Sequence, residues 1–484
     1  MVSAMLHQTL ILTILCLALC VSVTCQVQTA FEVRVTNAGL DYGGQVAVQL
    51  LNEQIPTIQI PDIDDGDIKA TNFKITQYSS PTSQVQLQAP STVTWTLAGA
   101  AITITAHVEA CQKIFGKKIC AGIDVEMGAT GVTMQASISL GRKPTDPDRP
   151  TIVSANCHAS IGDLSIHTEG GALGWIINLF RSIIASQVKP EIEKSLSDEL
   201  TSFLMTDANQ ELAKLNMVRN IDNRYDLNYA LAADPAVTVA YVGVDMKGQV
   251  TCDRDPSLVS PYPFTPLAFQ ILQDLRMVYS LISDKVVNDL LYYAHELGEL
   301  NTLVTEDTPD VGPFLKLNCT MSWCLGGFIP NVTILYPGVE AAEIMFSTTT
   351  PPQVILSPGS ADFYANITMN MFAPSPVTNS SILLATLLFN ANLVIGIKDN
   401  SLVGGVNISQ LTFDTIESQM DPGVTSALEN YMNNIIKSNL VAKINKVFGA
   451  GLPIPAIDHV VLSNPQIRLL DRTVQLETDV AYTG

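Results

Sequence analysis

DRDPSLVSPYPFTP, residues 253–266, contains four prolines and lies close to the middle of a chain of 484 residues. Each proline fixes its own φ, lacks a backbone N–H and pushes the preceding residue towards an extended conformation. Neither a helix nor an inner strand can run through such a segment. We therefore expect a stiff, extended connector, which we call the proline bridge.

The segments on the two sides of the proline bridge follow the same order. Each half begins with a strand and a first helix, continues with a long strand-rich region, and closes with a long amphipathic helix and a final strand. This repetition predicts two copies of one architecture. We expect a signal peptide at 1–25, a first domain at 26–247, a linker with a central sheet at 248–267 and a second domain at 268–484.

Strand and helix patterns place the chain in the α+β class. Apolar and polar residues alternate from Ile68 to about Leu140 and again over about 313–413, which is typical of antiparallel strands with one buried face. Apolar residues at helical spacing predict a long helix from about Leu173, kinked at Pro190, and a second from Asp421-Pro422. Shorter helices are expected at 39–55 and 283–297.

The composition favours a binding protein with apolar interior surface. Hydrophobic residues make up 47% of the chain and charged residues only 15%, below the usual ~25%. The mean hydropathy is +0.25, so we expect part of the apolar surface to line cavities. A formal net charge of −20 argues against a nucleic-acid partner and against unassisted binding to an anionic membrane.

The N-terminus and the sequons predict export from the cell. The apolar run 10–23 followed by Thr24-Cys25-Gln26 is typical of a secretory signal, with a membrane anchor as the alternative. We expect a secreted, extracellular protein without a permanent membrane anchor. Five glycosylation sequons all follow the proline bridge. They are headed by Asn318, Asn331, Asn366, Asn379 and Asn407.

One hairpin carries the densest positive charge of the first half. Residues 111–120, CQKIFGKKIC, place Lys113, Lys117 and Lys118 around Phe115 between two predicted strands. One interpretation is a solvated loop; the other is a contact for anionic headgroups with Phe115 as an apolar wedge. We call this segment the basic hairpin. The acidic segment 62–67 is expected to be a solvated turn, because a calcium loop starting at Asp62 would have Phe73 where it needs a glutamate.

The sequence contains no recognisable catalytic motif. G-x-S-x-G, G-x-x-x-x-G-K-[ST] and H-E-x-x-H are all absent, and the five histidines after residue 25 are dispersed. We therefore predict a protein that is not an enzyme and needs no cofactor or metal. Six cysteines remain after the signal, and an even number in a secreted chain predicts disulfides, with fifteen possible pairings.

The order of the segments, with several short strings, resembles the family of bactericidal/permeability-increasing protein and lipopolysaccharide-binding protein over nearly the whole mature chain. The strings are Gly39-Leu40-Asp41-Tyr42, Ile58-Gln59-Ile60-Pro61-Asp62, Gly174-Trp175, Val244 to Gly248, Arg276-Met277-Val278-Tyr279, Thr350-Pro351-Pro352, Ser401 to Gly404 and Gly451 to Pro455.

This resemblance implies a fold and a function. The fold is an elongated boomerang of two barrel-like domains, each a twisted antiparallel sheet wrapped around a long helix, joined by a central sheet. The function is recognition of bacterial lipopolysaccharide or the outer membrane in innate immune defence. Phosphates would meet a basic tip formed here by Lys113, Phe115, Lys117 and Lys118. The alternative is an extracellular lipid carrier without antibacterial activity, favoured by the acidic balance and by the absence of lysines over 51–59.

The resemblance also implies an apolar phospholipid pocket in each half. Ordinary core packing is the alternative role for each residue that we assign to these pockets. The assigned residues are Val46, Leu50, Ile176 and Ile183 in the first half and Val287, Leu291, Ile436 and Leu440 in the second.

Cysteine pairing departs from the family pattern. Cys157 matches the family's strand cysteine, but the helix around 188–196 lacks the expected partner. Cys157 is therefore free or pairs elsewhere, and our choice is Cys252. Cys111 is expected to pair with Cys120 across the hairpin. A bond between Cys319 and Cys324 requires a turn between them.

Overall fold

The structure, a computed structural model, describes residues 28–64, 66–167, 183–270, 276–309, 311–319, 324–329, 331–375, 379–418, 436, 441–442, 444–455 and 459–483. Outside these residues lie the predicted signal peptide, the start of the first predicted long helix as far as residue 182, and most of the second.

The first half forms a curled antiparallel sheet beside two helices. Strand order is β2-β3-β5-β6-β7, with β4 paired to β5 and β8 paired to β6. The elements are β1 (Phe31–Thr36), α1 (Asn37–Gln54), β2 (Ile63–Asp64), β3 (Ile68–Ser79), β4 (Thr82–Gln88), β5 (Thr92–Ile114), β6 (Lys117–Lys143), β7 (Asp146–Ser160), β8 (Asp163–His167) and α2 (Lys189–Ser202).

Alternation along these strands builds the first core. Every second residue of β5 from Ala100 to Ala110 is buried, while the residues between them are more exposed, as a sheet with one covered face requires. Ile192, Leu196 and Leu200 of α2 are buried in the same core. Pro190 lies in the first turn of α2, and a turn of π-helix at Ile184–Val188 precedes it. A π-turn next to a proline is a known cause of helix bending, in keeping with the predicted kink.

A small sheet leads from the first half to the proline bridge. Its strand order is β13-β10-β9, and its buried side chains Tyr225, Leu227 and Val250 belong to the same core as the second half. The elements are α3 (Asn209–Ala213), β9 (Val218–Ile221), β10 (Tyr225–Asn228), β11 (Ala236–Val237), β12 (Tyr241–Met246) and β13 (Gln249–Cys252).

The second half repeats the plan with a second curled antiparallel sheet. Its order is β15-β16-β18-β19-β20-β21, with β17 paired to β18. The elements are β14 (Val278–Ser283), α4 (Asp284–Glu296), β15 (Thr302–Val304), α5 (Leu325–Phe328), α6 (Val332–Leu335), β16 (Glu343–Thr348), β17 (Gln353–Ser357), β18 (Ser360–Ala373), β19 (Ser380–Lys398), β20 (Ser401–Ser418), β21 (Leu452–Pro453), β22 (Val460–Leu470) and β23 (Thr473–Tyr482).

Both first helices begin at a capping hydroxyl directly after a strand. Thr36 accepts a hydrogen bond from the Gly39 N–H at the start of α1, and Ser283 accepts one from the Lys285 N–H at the start of α4. Such caps satisfy backbone donors that a helix leaves open in its first turn. The two halves therefore share the same capping arrangement at the start of their first helix.

A central sheet joins the two halves, as the family resemblance implied. Its strand order is β11-β12-β1-β14-β23-β22, and the junction is the antiparallel pair β1 and β14, in which Phe31 lies opposite Ile282. The sheet therefore joins three strands from before the proline bridge, edge to edge, with three strands from after it. The domain boundaries at 247 and 267 remain our proposal.

The proline bridge is free of helix and strand, in agreement with its four prolines. Side chains fix it to the second half. The Ser260 hydroxyl donates to Asp289 Oδ1 at 2.5 Å, and the Lys285 ammonium lies 4.8 Å from the centre of the Phe264 ring. Lys285 also pairs with Asp289 at 2.9 Å, and both side chains are buried.

The disulfides partly follow the sequence expectation. Cys111 is bonded to Cys120 and Cys319 to Cys324. Cys157 and Cys252 are free thiols, so the pairing that we expected between them is wrong. The physical reason is their position: Cys157 lies on β7 against the core of the first half, whereas Cys252 is buried on β13 in the core shared with the second half.

Candidate functional site

The basic hairpin ends in a two-residue turn. Strands β5 and β6 are paired up to Ile114 and Lys117, which leaves Phe115 and Gly116 to reverse the chain. Both have positive φ, 52° for Phe115 and 80° for Gly116, as a tight type I′ hairpin turn requires. A bulky residue is seldom found at positive φ, so the position of Phe115 is a marked feature of this turn. Its side chain is fully exposed at the apex.

The strand register distributes the three lysines over both faces of the hairpin. Lys113 lies directly opposite Lys118, so these two share one face, next to the disulfide between Cys111 and Cys120. Lys117 lies opposite Ile114, and its side chain alternates to the other face. All three lysines are exposed. The sequence indicated a basic tip but could not show how its charges are divided.

The end of the acidic turn 62–67, formed by Gly66 and Asp67, lies beside the basic hairpin, a contact that the sequence did not predict. The backbone N–H of Cys111 donates to the Asp67 carbonyl at 2.7 Å, which fixes the turn to the neck of the hairpin. Lys118 Nζ donates to the Gly66 carbonyl at 3.2 Å and lies 3.7 Å from Asp67 Oδ1. Local sequence patterns do not reveal this proximity, because it depends on the pairing of β3 with β5, which brings Ile68 opposite Ala110.

Helix α1 faces the first core with residues other than the predicted ones. Its buried residues include Gly44, Val48 and Leu51, whereas Val46 is only partly buried and the Leu50 side chain is 39% exposed. The expectation that Leu50 faces the interior is therefore wrong. Val46 and Leu50, the i,i+4 pair that we assigned to the pocket, lie beside the face of α1 that packs inward. Apolar residues of α1 cover more than one face, so their spacing alone does not identify the inward one.

The other predicted pocket residues lie in the two cores where the structure describes them. Ile183 is buried in the first core. Leu291 and Ile436 are buried in the second, with Val287 partly buried against them. Ile176 and Leu440 lie outside the described residues. The assignment of these side chains to lipid pockets stays a prediction.

Two clefts open next to the central sheet. One, of about 520 Å³, lies between the second barrel and the edge strand β22, and Leu393, Ile395, Ile467 and Leu469 form its apolar walls. The other, of about 500 Å³, lies under the proline bridge with Glu32, Asp245 and Phe264 in its lining. None of the six predicted pocket residues that the structure describes lines either cleft.

Two carboxylates line the cleft under the proline bridge, and a positive charge balances Glu32 better than it balances Asp245. Arg34 binds both oxygens of Glu32, at 2.5 and 3.0 Å, and its guanidinium stacks on the Phe269 ring at 4.0 Å. Burial raises the pKa of Asp245, and the neighbouring Glu32 charge raises it further. The Asp245 carboxylate therefore carries a desolvation cost that Arg34 only partly offsets.

All five sequon asparagines are exposed. Asn366 on β18 and Asn407 on β20 lie on the outward face of the second sheet, where their neighbours in sequence point inward or are less exposed. Exposure is what glycosylation requires. Use of the sequons remains a prediction.

Comparison with known proteins gives the same family over both halves. The N-terminal domain model of the LBP / BPI / CETP family matches residues 39–206, and its C-terminal domain model matches residues 219–482. Bactericidal permeability-increasing protein of Sebastes schlegelii is 23% identical, over 97% of this chain and 99% of its own. Lipopolysaccharide-binding protein of Bos taurus is 23% identical, over 93% of each chain.

A solved structure has the same fold. The crystal structure of lipopolysaccharide binding protein matches 94% of this chain and 100% of its own, with a TM-score of 0.66 and 21% sequence identity. The likeness shows the α+β fold with two curled sheets. Within the part of the chain that the structure describes, no helix is both long and apolar enough to span a membrane.

Proposed function

This chain belongs to the LBP / BPI / CETP family, and from that premise we propose that it is a secreted lipid-binding protein that recognises bacterial lipopolysaccharide through the basic hairpin. The observation that carries the proposal is Phe115, fully exposed at the apex of a hairpin with lysines on both faces. An aromatic ring can enter the acyl boundary of a lipid surface while flanking ammonium groups meet phosphates. The relatives named for lipopolysaccharide binding support the choice of ligand.

Reversal of the hairpin charges tests the proposal. Each lysine near an anionic surface contributes about 1 kcal/mol, so the triple variant Lys113→Glu, Lys117→Glu, Lys118→Glu should bind lipopolysaccharide about 100-fold more weakly. Binding of the variant should also weaken less as salt rises, because the hairpin no longer attracts phosphates. Surface plasmon resonance at two ionic strengths measures both effects.

Lys398→Glu is the control variant, because Lys398 is exposed at the end of a hairpin of the second barrel. It should leave affinity unchanged. If the triple variant binds lipopolysaccharide as tightly as the wild-type protein, the basic hairpin is not the recognition site.

We further propose that each half holds phospholipid acyl chains in an apolar interior, with no catalytic step. Support comes from the two separate apolar cores and the low charge of the chain. An empty apolar cavity costs about 24 cal/mol per Å³, so a void of ligand size is more stable when filled. We expect phospholipid to co-purify with the secreted protein, as measured by native mass spectrometry and by solvent extraction. Lipid-free protein that takes up no labelled phospholipid would rule out these pockets.

An extracellular lipid carrier without antibacterial activity is the second candidate. The observation that favours it is the acidic turn, because Asp67 already occupies Lys118 and lowers the positive charge of the tip. A carrier should transfer labelled phospholipid between vesicles without killing bacteria or capturing lipopolysaccharide. A bacterial killing assay beside a vesicle transfer assay separates the two functions.

A further inference from the structure

The acidic turn places an internal anion where the ligand's phosphate would bind. We propose that Asp67 limits the affinity of the basic hairpin for phosphate-bearing lipids by competing for Lys118, an inference that rests on the proposed function. Asp67 would then determine how densely anionic a lipid surface must be before the hairpin binds it.

The position of Asp67 is fixed by the backbone. Its carbonyl accepts the N–H of Cys111, and strand β3, which begins at Ile68, pairs with β5 in register. The disulfide between Cys111 and Cys120 closes the same neck. The sheet therefore holds the backbone of Asp67 beside the hairpin, and from there its exposed carboxylate lies 3.7 Å from Lys118 Nζ.

Repulsion between two lysines explains why a carboxylate is favourable beside Lys118. Lys113 and Lys118 are directly opposite cross-strand partners, and like charges in such positions repel each other. Asp67 pairs with Lys118 and relieves this repulsion. The Gly66 carbonyl accepts a further hydrogen bond from the same ammonium group. Lys118 is thus engaged before any lipid arrives.

A lipid phosphate that approaches Lys118 competes with the Asp67 carboxylate for the same ammonium group, and the two anions repel each other. The new contact therefore gains less free energy than it would with an unpaired ammonium group. A sparsely charged surface gains little from that exchange, whereas a densely anionic one also engages Lys113 and Lys117. Selection by charge density is the expected result.

Asp67→Asn tests the inference because it removes the charge and keeps the backbone carbonyl that holds the turn. An exposed ion pair contributes up to about 1 kcal/mol, so the variant should bind anionic vesicles about two- to fivefold more tightly. The probes are phosphatidylcholine vesicles with a low or a high mole fraction of phosphatidylglycerol. The gain should be larger at the low fraction.

Two further variants make the result specific. Asp399→Asn removes one negative charge from a turn of the second barrel and should leave vesicle binding unchanged. Asp67→Asn in a Lys118→Gln background should give no gain, because the competed ammonium is missing. A gain that persists in that background would show a general charge effect and would overturn the proposal.

Different results would refute the proposed function and the role of Asp67. If the triple lysine variant leaves lipid binding unchanged, the proposed function fails. If that variant weakens binding but Asp67→Asn does not strengthen it, only the role of Asp67 is refuted. Unchanged circular dichroism and thermal midpoint for Asp67→Asn exclude a folding defect as the cause.

Discussion

Replacing Glu299 by glutamine should loosen the contact between the small sheet, the proline bridge and the second half. Glu299 follows α4, and its side chain is 10% exposed. It accepts hydrogen bonds from Arg224 at 2.7 Å, from Arg254 at 2.8 Å and from the Tyr225 hydroxyl at 2.6 Å. One carboxylate thus joins β10, the loop before it and the proline bridge.

The expected loss of stability follows from these three bonds. Hydrogen bonds to a charged group contribute about 1.5–3 kcal/mol when buried, but both arginines are partly exposed and solvent weakens their share. We expect Glu299→Gln to lower the free energy of unfolding by about 2–3 kcal/mol. The pKa of Tyr225, raised first by burial and then by the hydrogen bond and charge of Glu299, should fall.

Urea unfolding followed by circular dichroism measures the stability, and absorbance during an alkaline titration measures the tyrosine pKa. The control is Glu211→Gln, which breaks an exposed helical pair with Lys214 and should cost no more than about 0.5 kcal/mol. If Glu299→Gln costs no more than this control and leaves the titration of Tyr225 unchanged, the carboxylate does not hold these elements together.

Two further substitutions probe buried polar groups. Asp245→Asn should stabilise the protein at neutral pH, because the pKa of Asp245 is raised in the folded state and native stability therefore falls as pH rises through that folded-state pKa. The gain should vanish below about pH 3.9, where the carboxyl is protonated in both the folded and the unfolded state. Urea midpoints at neutral pH and below this pH measure the difference. Asn209→Ala should cost about 2–4 kcal/mol in the same assay, because the Asn209 amide bonds both the N–H and the C=O of buried Ile152, whereas exposed Asn220→Ala should cost far less.

Local patterns predicted most elements of the fold, but the strands expected from about residue 313 begin only at Glu343, after the short helices α5 and α6. The proline bridge, the alternating strands and the apolar stripe of Ile192, Leu196 and Leu200 all depend on backbone geometry and on burial of one face. Two capping candidates, Ser283 and Asp284, placed the start of α4, and the structure has Ser283 as the cap. These signals act within a few residues, so the sequence alone contains them.

Contacts between distant segments were not predictable in the same way. The faces of the three hairpin lysines depend on the register set by the turn at Phe115 and Gly116. The contact between Asp67 and Lys118 depends on the pairing of β3 with β5. These two strands are neighbours in the sheet, but β4 lies between them in sequence. Leu50 was misplaced because an apolar helix with more than one candidate face needs its packing partner to choose between them.

The central sheet has a consequence for synthesis of the chain on the ribosome. Strand β14 pairs with β1 from the beginning of the described chain on one side and with β23, ending at Tyr482, on the other. Strand β23 leaves the ribosome long after β14, because the whole second curled sheet lies between them in sequence. The first half can fold early, as N-terminal domains commonly do, but one edge of β14 must wait for β23. A chain truncated before β23 would expose that unpaired edge, and an unpaired strand edge is a template for aggregation.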